Sequence, residues 1–218
     1  MSRALSPSAR ARRELTLGTL AGICGMGAAP AARAGAQIEE PLADSVRSAL
    51  SAAIANSAPP RPAFGSTEAR LAYLRWLGEM STRLQKRKAD HQTRVEFLET
   101  VWYESKRAGL ETALVLGLIQ VESGFRKYAI SSAGARGYMQ VMPFWARLIG
   151  GGNTLGLFHM QTNLRFGCVI LRHYVDIERG DLFMALGRYN GSRGRPEYPN
   201  LVFGARKAWD YKPATNGA

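Results

Sequence analysis

One apolar run, Ala113 to Val121, constrains the fold of this 218-residue chain more than any other segment. It contains no charged side chain and is followed at once by Glu122, Ser123 and Gly124. A glycine just after an apolar helical segment commonly ends the helix by adopting the left-handed conformation. The run therefore predicts a mostly buried helix that stops at Gly124 and carries Glu122 in its last turn.

A carboxylate at that position meets two unfavourable effects. Burial disfavours the charged form, and so does the negative end of the helix dipole, so both raise the pKa of Glu122. A carboxylic acid that keeps its proton near neutral pH can act as a general acid. The alternative is a glutamate that extends from the helix end into solvent.

The residues after Glu122 set this acid apart. From Ser123 to Val175 the sequence contains no Asp or Glu. The same interval holds six basic residues: Arg126, Lys127, Arg136, Arg147, Arg165 and Arg172. An active site at Glu122 would therefore work with one acid rather than two.

The rest of the chain shows helical spacing of apolar residues and no run of alternating strand pattern. Helical patterns occupy residues 37–56, 67–88, 163–175 and 182–189, and another ends near Gly109. Thr67 is the expected N-cap of the second. The proline-rich stretch Ser57 to Pro62 predicts a linker. We therefore predict a mainly α fold, with an N-terminal helical extension at residues 37–90, a main domain at 91–212 and a tail at 213–218.

Residues 1–36 are typical of an export signal. They begin with basic residues, continue with a Gly/Ala-rich apolar stretch from Leu15 to Ala29, and end in A-x-A spacing. Arg12 and Arg13 also resemble the start of a twin-arginine signal. The apolar stretch is too short for a stable transmembrane helix, so we expect at most peripheral membrane contact. The prediction is a periplasmic protein; the alternative is a basic N-terminus of a cytoplasmic one.

The charge balance limits the partners. Cleavage after residue 36 would remove five arginines and one glutamate, leaving a net charge of +8 from the formal +12. A basic exported protein favours anionic polymers, lipid headgroups or cell-wall material. The basic residues are spread along the chain rather than clustered, so nucleic acid is not the expected partner.

Cysteine and histidine usage argues against two further kinds of chemistry. Cleavage would leave Cys168 as the single cysteine, so an internal disulfide is excluded. Cys168 itself is most simply a buried apolar residue. His173 and Asp176 have metal-ligand spacing, but no third or fourth ligand accompanies them, and His159 stands apart. The sequence predicts neither a metal site nor a cofactor.

Four motifs then occur in order and together resemble one family. They are Glu122-Ser123-Gly124-Phe125, Ser131 to Gly134, Gly137-Tyr138-Met139-Gln140-Val141-Met142-Pro143, and Ala185 to Gly191. This set resembles the catalytic domain of soluble lytic transglycosylases, relatives of goose-type lysozyme with a lysozyme-like helical fold. The resemblance covers Phe97 to Lys212. Tyr138 departs from the family, which most often has leucine there, and we expect it to alter a packing or groove contact.

The resemblance implies a specific reaction. Glu122 would be the sole catalytic acid and base, protonating the glycosidic oxygen between N-acetylmuramic acid and N-acetylglucosamine. As a carboxylate it would then accept the proton of the muramic C6 hydroxyl, which attacks C1 and closes a 1,6-anhydro ring, with help from the 2-acetamido group. Goose-type hydrolases carry aspartates just after their glutamate, and this chain has none.

The family also implies roles for other residues, with peptidoglycan glycan strands as the partner. Tyr189 would orient the catalytic glutamate, or be a buried tyrosine with a satisfied hydroxyl. Substrate contacts are expected from Ser131, Met139, Gln140, Met142 and Asn190. The alternatives are core packing for both methionines and holding the loop for Asn190. Two other functions stay open: a lysozyme-type hydrolase of the same bond, and a non-catalytic wall-binding component of an envelope or secretion assembly.

Overall fold

A computed structural model describes residue 37 and residues 39–55 and 62–212. These residues form eight α-helices: α1 Asp44–Ala55, α2 Thr67–Leu84, α3 His91–Arg107, α4 Thr112–Ser123, α5 Pro143–Ile149, α6 Met160–Ile177, α7 Leu182–Asn190 and α8 Glu197–Arg206. Two 3-10 turns occupy Leu155–Phe158 and Lys207–Trp209. Within the described ranges β structure is limited to two isolated bridges, so the mainly α prediction is confirmed.

Helix α4 is the central helix of the core, as the apolar run predicts. Ten of its twelve residues are buried, which is typical of a helix surrounded by protein. The helix ends at Gly124, whose φ of 57° is left-handed and whose N–H bonds the carbonyl of Gln120. The structure therefore confirms both the predicted helix and its glycine stop.

Helix α8, which the sequence patterns did not predict, packs against α4 at a glycine. A Cβ atom added to Gly117 would lie 2.7 Å from the backbone nitrogen of Arg206. Only glycine permits so close an approach of the two backbones. Because the two helices run antiparallel here, the start of α8 lies beside the end of α4, and this brings Tyr198 to Glu122.

The segment before α3 packs on the rest of the chain. Helix α1 contacts α5 and α6, and α2 contacts α3. The N-cap of α2 is Ser66, whose Oγ accepts the Ala69 N–H at 3.2 Å, and not Thr67 as predicted, because the helix starts one residue after its capping side chain. None of the described helices is long and apolar enough to cross a bilayer.

Several predicted segments lie outside the described residues. These are the export signal at 1–36, most of the linker and the tail at 213–218.

Candidate active site

Glu122 is buried at the C-terminal end of α4, with 7% of its surface exposed. Its Oε1 accepts a hydrogen bond of 2.5 Å from the Tyr198 hydroxyl. Its Oε2 is buried and has no hydrogen-bond partner. Burial raises the pKa of Glu122 from 4.5 to about 8, although the Tyr198 hydrogen bond favours the ionised form and lowers it in part.

This carboxyl group has neutral neighbours. Neither a cation nor a second carboxylate contributes to the shift in its pKa. The solvent-exposed alternative for Glu122 is thus excluded by its burial, and its raised pKa favours the protonated form at neutral pH. A lone buried acid of this kind can donate a proton and take one back.

The loop after α4 is held against Glu122 by three side chains that bond its backbone. Ser123 Oγ donates to the Tyr138 carbonyl at 2.7 Å. Tyr189 Oη donates to the Met139 carbonyl at 2.7 Å. Asn163 Oδ1 accepts the Met139 N–H at 2.8 Å. Elements α4, α6 and α7 thereby fix the segment 138–140, which carries the third motif.

Asn163 is fully buried and makes two further bonds with its amide nitrogen. It donates to the carbonyls of Arg136 and Leu157, both at 2.8 Å. The turn it supports needs Gly137, where an added Cβ would lie 2.4 Å from Asn163 Nδ2. Asn163 is thus a structural residue of the site that the sequence patterns missed.

Tyr189 lies close to Glu122 but does not bond it directly. The Glu122 carboxylate contributes, after burial, to raising the pKa of Tyr189. The Tyr189 hydroxyl donates its proton to the Met139 carbonyl instead. The direct hydrogen bond to the acid comes from Tyr198, so the orienting role expected of Tyr189 stays a prediction.

Gln140 and Ser131 both form part of the loop itself. Gln140 is 2% exposed with a φ of 49°, and its Nε2 donates to the Ala129 and Gly137 carbonyls at 3.1 and 2.9 Å. Ser131 is partly exposed, and its Oγ accepts the Ala135 N–H at 3.1 Å. The Ser131 hydroxyl keeps its own proton to donate, whereas the amide nitrogen of Gln140 is already used.

The two methionines differ in burial. Met139 is fully buried and packs on Gly167, where an added Cβ would lie 2.3 Å from the Met139 sulfur. Core packing, the alternative interpretation, fits this position. Met142 is partly exposed at the start of α5 and is accessible to a ligand.

Asn190 ends α7 beside Tyr189. Its Nδ2 donates to Ser192 Oγ at 3.0 Å, while its buried Oδ1 has no partner. Glu122 Oε2 and Asn190 Oδ1 are thus two buried oxygens without a donor. Buried polar atoms are nearly always bonded, so two such atoms on predicted site residues are what a hydroxyl- or amide-bearing ligand would satisfy.

The described residues give little support to a metal site or to a cysteine nucleophile. Among residues 37, 39–55 and 62–212, no three His, Cys, Asp or Glu side chains come together as a metal site would require. Cys168 is buried, and burial raises the pKa of its thiol, which is the reverse of what a nucleophile needs.

Comparison with known proteins matches this chain to transglycosylases. Residues 99–211, more than half of the chain, match the family described as the transglycosylase SLT domain. A membrane-bound lytic murein transglycosylase C from Glaesserella parasuis is 49% identical over 83 residues, covering 34% of this chain and 23% of the relative. A transglycosylase of Enterobacteria phage PRD1 is 31% identical over 104 residues, covering 48% of this chain and 38% of the relative.

The similarity is confined to part of each relative. Another lytic murein transglycosylase C, from Mannheimia succiniciproducens, is 47% identical over 51 residues, and the match spans 23% of this chain but 14% of the relative. A solved structure, an inactive mutant of the lytic transglycosylase Slt from Pseudomonas aeruginosa, aligns with a TM-score of 0.42 and 22% identity, covering 64% of this chain and 27% of that one.

Proposed function

The chain belongs to the transglycosylase SLT family, and from this premise we propose that it is a peptidoglycan lytic transglycosylase with Glu122 as its single catalytic acid and base. The observation that carries the proposal is the state of Glu122. It is buried, unpaired by any cation, bonded to one tyrosine and left with one free oxygen.

The first half of the reaction is a proton transfer from Glu122. The protonated carboxyl donates to the glycosidic oxygen, which links muramic C1 to C4 of N-acetylglucosamine. The C1–O bond breaks and the glucosamine leaves with that proton. A pKa of about 8 keeps the acid form available at neutral pH, which this step requires.

The second half returns the proton. Glu122, now a carboxylate, accepts the proton of the muramic C6 hydroxyl as O6 bonds to C1. The 2-acetamido group assists at C1, as in substrate-assisted glycosidases. No water is consumed, and Glu122 ends the cycle protonated.

Tyr198 and Tyr189 serve different parts of this cycle. The Tyr198 hydrogen bond stabilises the carboxylate that forms after the first step. Because it occupies Oε1, it leaves Oε2 as the oxygen without a partner. Tyr189 fixes the loop through the Met139 carbonyl. Ser131, Met142 and Asn190 would contact the sugar; the partial exposure of the first two and the unpartnered amide oxygen of Asn190 support this role. Gln140 and Met139 support the loop from within.

The location and domain organisation follow the same proposal. Residues 91–212 would form the catalytic domain and residues 37–90 an extension packed on it. Two of the relatives are named membrane-bound lytic murein transglycosylases, which supports an envelope location for this chain. Residues 1–36 would direct export to the periplasm.

Product mass separates this proposal from hydrolysis. Purified protein would be incubated with peptidoglycan in ¹⁸O-labelled water and the released muropeptides weighed. Ring closure gives anhydro products that are one water lighter and carry no label, whereas a hydrolase gives reducing ends that carry ¹⁸O. Glu122→Gln should release at least about a hundredfold less. Glu197→Gln, which changes an exposed glutamate beside Tyr198, should release normal amounts. Labelled reducing ends would contradict the proposal, and so would binding without release.

A further inference from the structure

Tyr138, in the third motif, stands where the resembled family most often has leucine. Its side chain is 1% exposed, and its ring packs on that of Phe97 with the two centroids 4.9 Å apart. A leucine would fill part of the same space but has no hydroxyl. The hydroxyl is therefore the group that this chain adds at the position.

The hydroxyl of Tyr138 is bonded by Lys88. Lys88 Nζ donates to Tyr138 Oη at 2.8 Å, and it also lies 4.8 Å from the Tyr138 ring centroid and 5.2 Å from that of Phe97. An ammonium within about 6 Å of an aromatic centroid is attracted by the negative face of the ring. Because Lys88 precedes the family-matched residues 99–211, the pair joins a residue outside that domain to one of its motifs.

The ammonium of Lys88 is held in surroundings that disfavour its charge. Lys88 is half-buried and forms no ion pair with the described residues. Burial, and then the nearby Lys127, lower the pKa of Lys88. A half-buried cation that faces a second cation is less stable than one in water. Its position is therefore determined by Tyr138 and the two rings rather than by charge pairing.

The backbone at Lys88 is fixed by a buried arginine. Arg94 on α3 is 5% exposed, and its Nη1 donates to the carbonyls of Lys88 and Ala89 at 2.6 and 2.8 Å. Arg94 Nε donates to Ser81 Oγ on α2 at 2.9 Å. Helices α2 and α3 thus both hold the link between them. Lys88 reaches Tyr138 from a rigid backbone, which is the support that a precisely placed side chain needs.

Tyr138 connects this link to the end of α4. The Tyr138 carbonyl accepts the hydrogen bond of Ser123 Oγ at 2.7 Å, and Ser123 follows Glu122 directly in the chain. The contacts from α4, α6 and α7 described above hold the segment 138–140 through its backbone. Lys88 holds the same segment through a side chain. The path from Lys88 through Tyr138 and Ser123 ends one residue from the acid.

We propose that Lys88 is a positioning residue for the transglycosylase reaction, which holds the segment 138–140 against Glu122 through the Tyr138 hydroxyl. The inference rests on the proposed function. Lys88 makes no hydrogen bond or ring contact with the residues proposed to bond sugar, which are Ser131, Met142 and Asn190. It therefore acts through Tyr138. Loss of the hydrogen bond frees one side chain of the segment, and a small displacement near reacting groups slows a reaction tenfold or more.

The first test is Lys88→Met, which keeps an unbranched apolar stem and removes the donor and the charge. Cleavage of soluble, uncross-linked peptidoglycan strands would be measured per folded molecule, with the folded fraction taken from urea unfolding. Met139 and Gln140 are buried, so the loss should fall on the chemical step and not on substrate binding. We expect kcat to fall about tenfold and KM to change less than about twofold.

Two further variants act as controls for Lys88→Met. Lys88→Arg restores a cationic donor and should recover most of the lost kcat. Lys86→Met changes an exposed lysine two residues earlier in the chain and should leave both kcat and KM unchanged.

Tyr138→Phe tests the other end of the same hydrogen bond, since it removes the hydroxyl and keeps the ring. Its kcat should also fall about tenfold. Adding Lys88→Met to Tyr138→Phe should then have little further effect, because the two side chains act through one interaction. Should Lys88→Met fail to fold, a Tyr138→Phe protein with wild-type kcat would overturn the proposal by itself.

The remaining outcomes are separable. A Lys88→Met protein that loses stability but keeps the wild-type kcat once folded would show a structural role and overturn the positioning role. Fully additive losses in the double variant would exclude a path through the Tyr138 hydroxyl and also overturn the proposal. Failure of the proposed function would look different, since the wild-type protein would then cleave no peptidoglycan at all.

Discussion

The described part of the chain buries two glutamates in opposite surroundings, Glu104 on α3 and Glu122 on α4, with 1% and 7% of their surfaces exposed. Glu104 accepts hydrogen bonds from two guanidinium groups, from Arg165 Nε at 3.0 Å and from Arg107 Nη1 at 3.2 Å. Glu122 bonds a single neutral group, the Tyr198 hydroxyl. Burial is common to both, and the chemical nature of the partner differs.

The partners also decide what each glutamate does. Arg107 and Arg165 also donate hydrogen bonds to the carbonyls of Ala53 and Ile54, at the end of α1. Glu104 therefore belongs to the structure that docks the N-terminal helix. Tyr198 is a neutral partner, so no ion network extends from Glu122 through it. The second oxygen of Glu122 has no hydrogen-bond partner. A buried carboxyl becomes a usable acid when its partner is neutral, and a structural one when its partner is a cation.

The largest effect is expected from Glu122→Gln, which removes the transferable proton and preserves shape. Peptidoglycan cleavage should fall by about a hundredfold to ten-thousandfold, the usual contribution of a general acid and base. The fold should survive, since no cation loses a partner. Rates would be measured by muropeptide release with Glu197→Gln in parallel, and a Glu122→Gln enzyme with wild-type rates would place the acid elsewhere.

Glu104→Gln should give the reverse result. Arg165 and Arg107 would lose their shared carboxylate in a buried site, and such a loss costs about 3 kcal/mol or more in the free energy of unfolding. Cleavage per folded molecule should stay near the wild-type value. Urea unfolding measures the first quantity and a folded-fraction-corrected rate the second. An equally stable Glu104→Gln protein would remove the contrast between the two glutamates.

The pH dependence of stability sharpens the comparison further. The folded pKa of Glu122, about 8, exceeds its ordinary value of 4.5, so between these values the folded state binds more protons than the unfolded state. The free energy of unfolding should therefore fall as pH rises from about 4.5 to about 8, by a few kcal/mol. Glu122→Gln should remove this slope, as unfolding experiments at pH 5 and pH 9 would test. A slope that persists in the variant would mean that another group titrates.

The smallest effect is expected from Tyr198→Phe. Its hydrogen bond lowers the pKa of Glu122 in part, so its loss should raise that pKa, move the alkaline fall of activity to higher pH and slow cleavage about tenfold. Tyr189→Phe removes the hydrogen bond to the Met139 carbonyl and should slow cleavage without shifting the alkaline limb, the fall in activity at high pH. If only Tyr189→Phe moves the limb, the orienting role belongs to Tyr189 after all.

Local patterns predicted α4, its stop at Gly124 and the buried acid, because burial and helix termination are properties of adjacent residues. The family motifs identified the loop at 137–143. Tyr198 could not be found in this way, since it lies 76 residues from Glu122 and α8 has weak periodicity. Gly117 was the available signal, because a glycine inside a buried helix indicates a close helix neighbour.

Local sequence patterns also could not predict the roles of individual side chains within the motifs. A sequence shows that Gln140 and Met139 are present but not that their polar and apolar groups turn into the loop and the core. Asn163 was overlooked because it lies outside the motifs it supports. Such roles depend on contacts between segments that are distant in the chain.

The central claim, that Glu122 keeps its proton at neutral pH, can be measured directly by ¹³C NMR. The side-chain carboxyl resonances of ¹³C-labelled glutamate would be followed from pH 4 to pH 10, with Glu122→Gln to assign the signal. The structure predicts a Glu122 resonance that titrates near pH 8. A resonance that titrates near 4.5 would show an ionised carboxylate at pH 7 and would contradict the account.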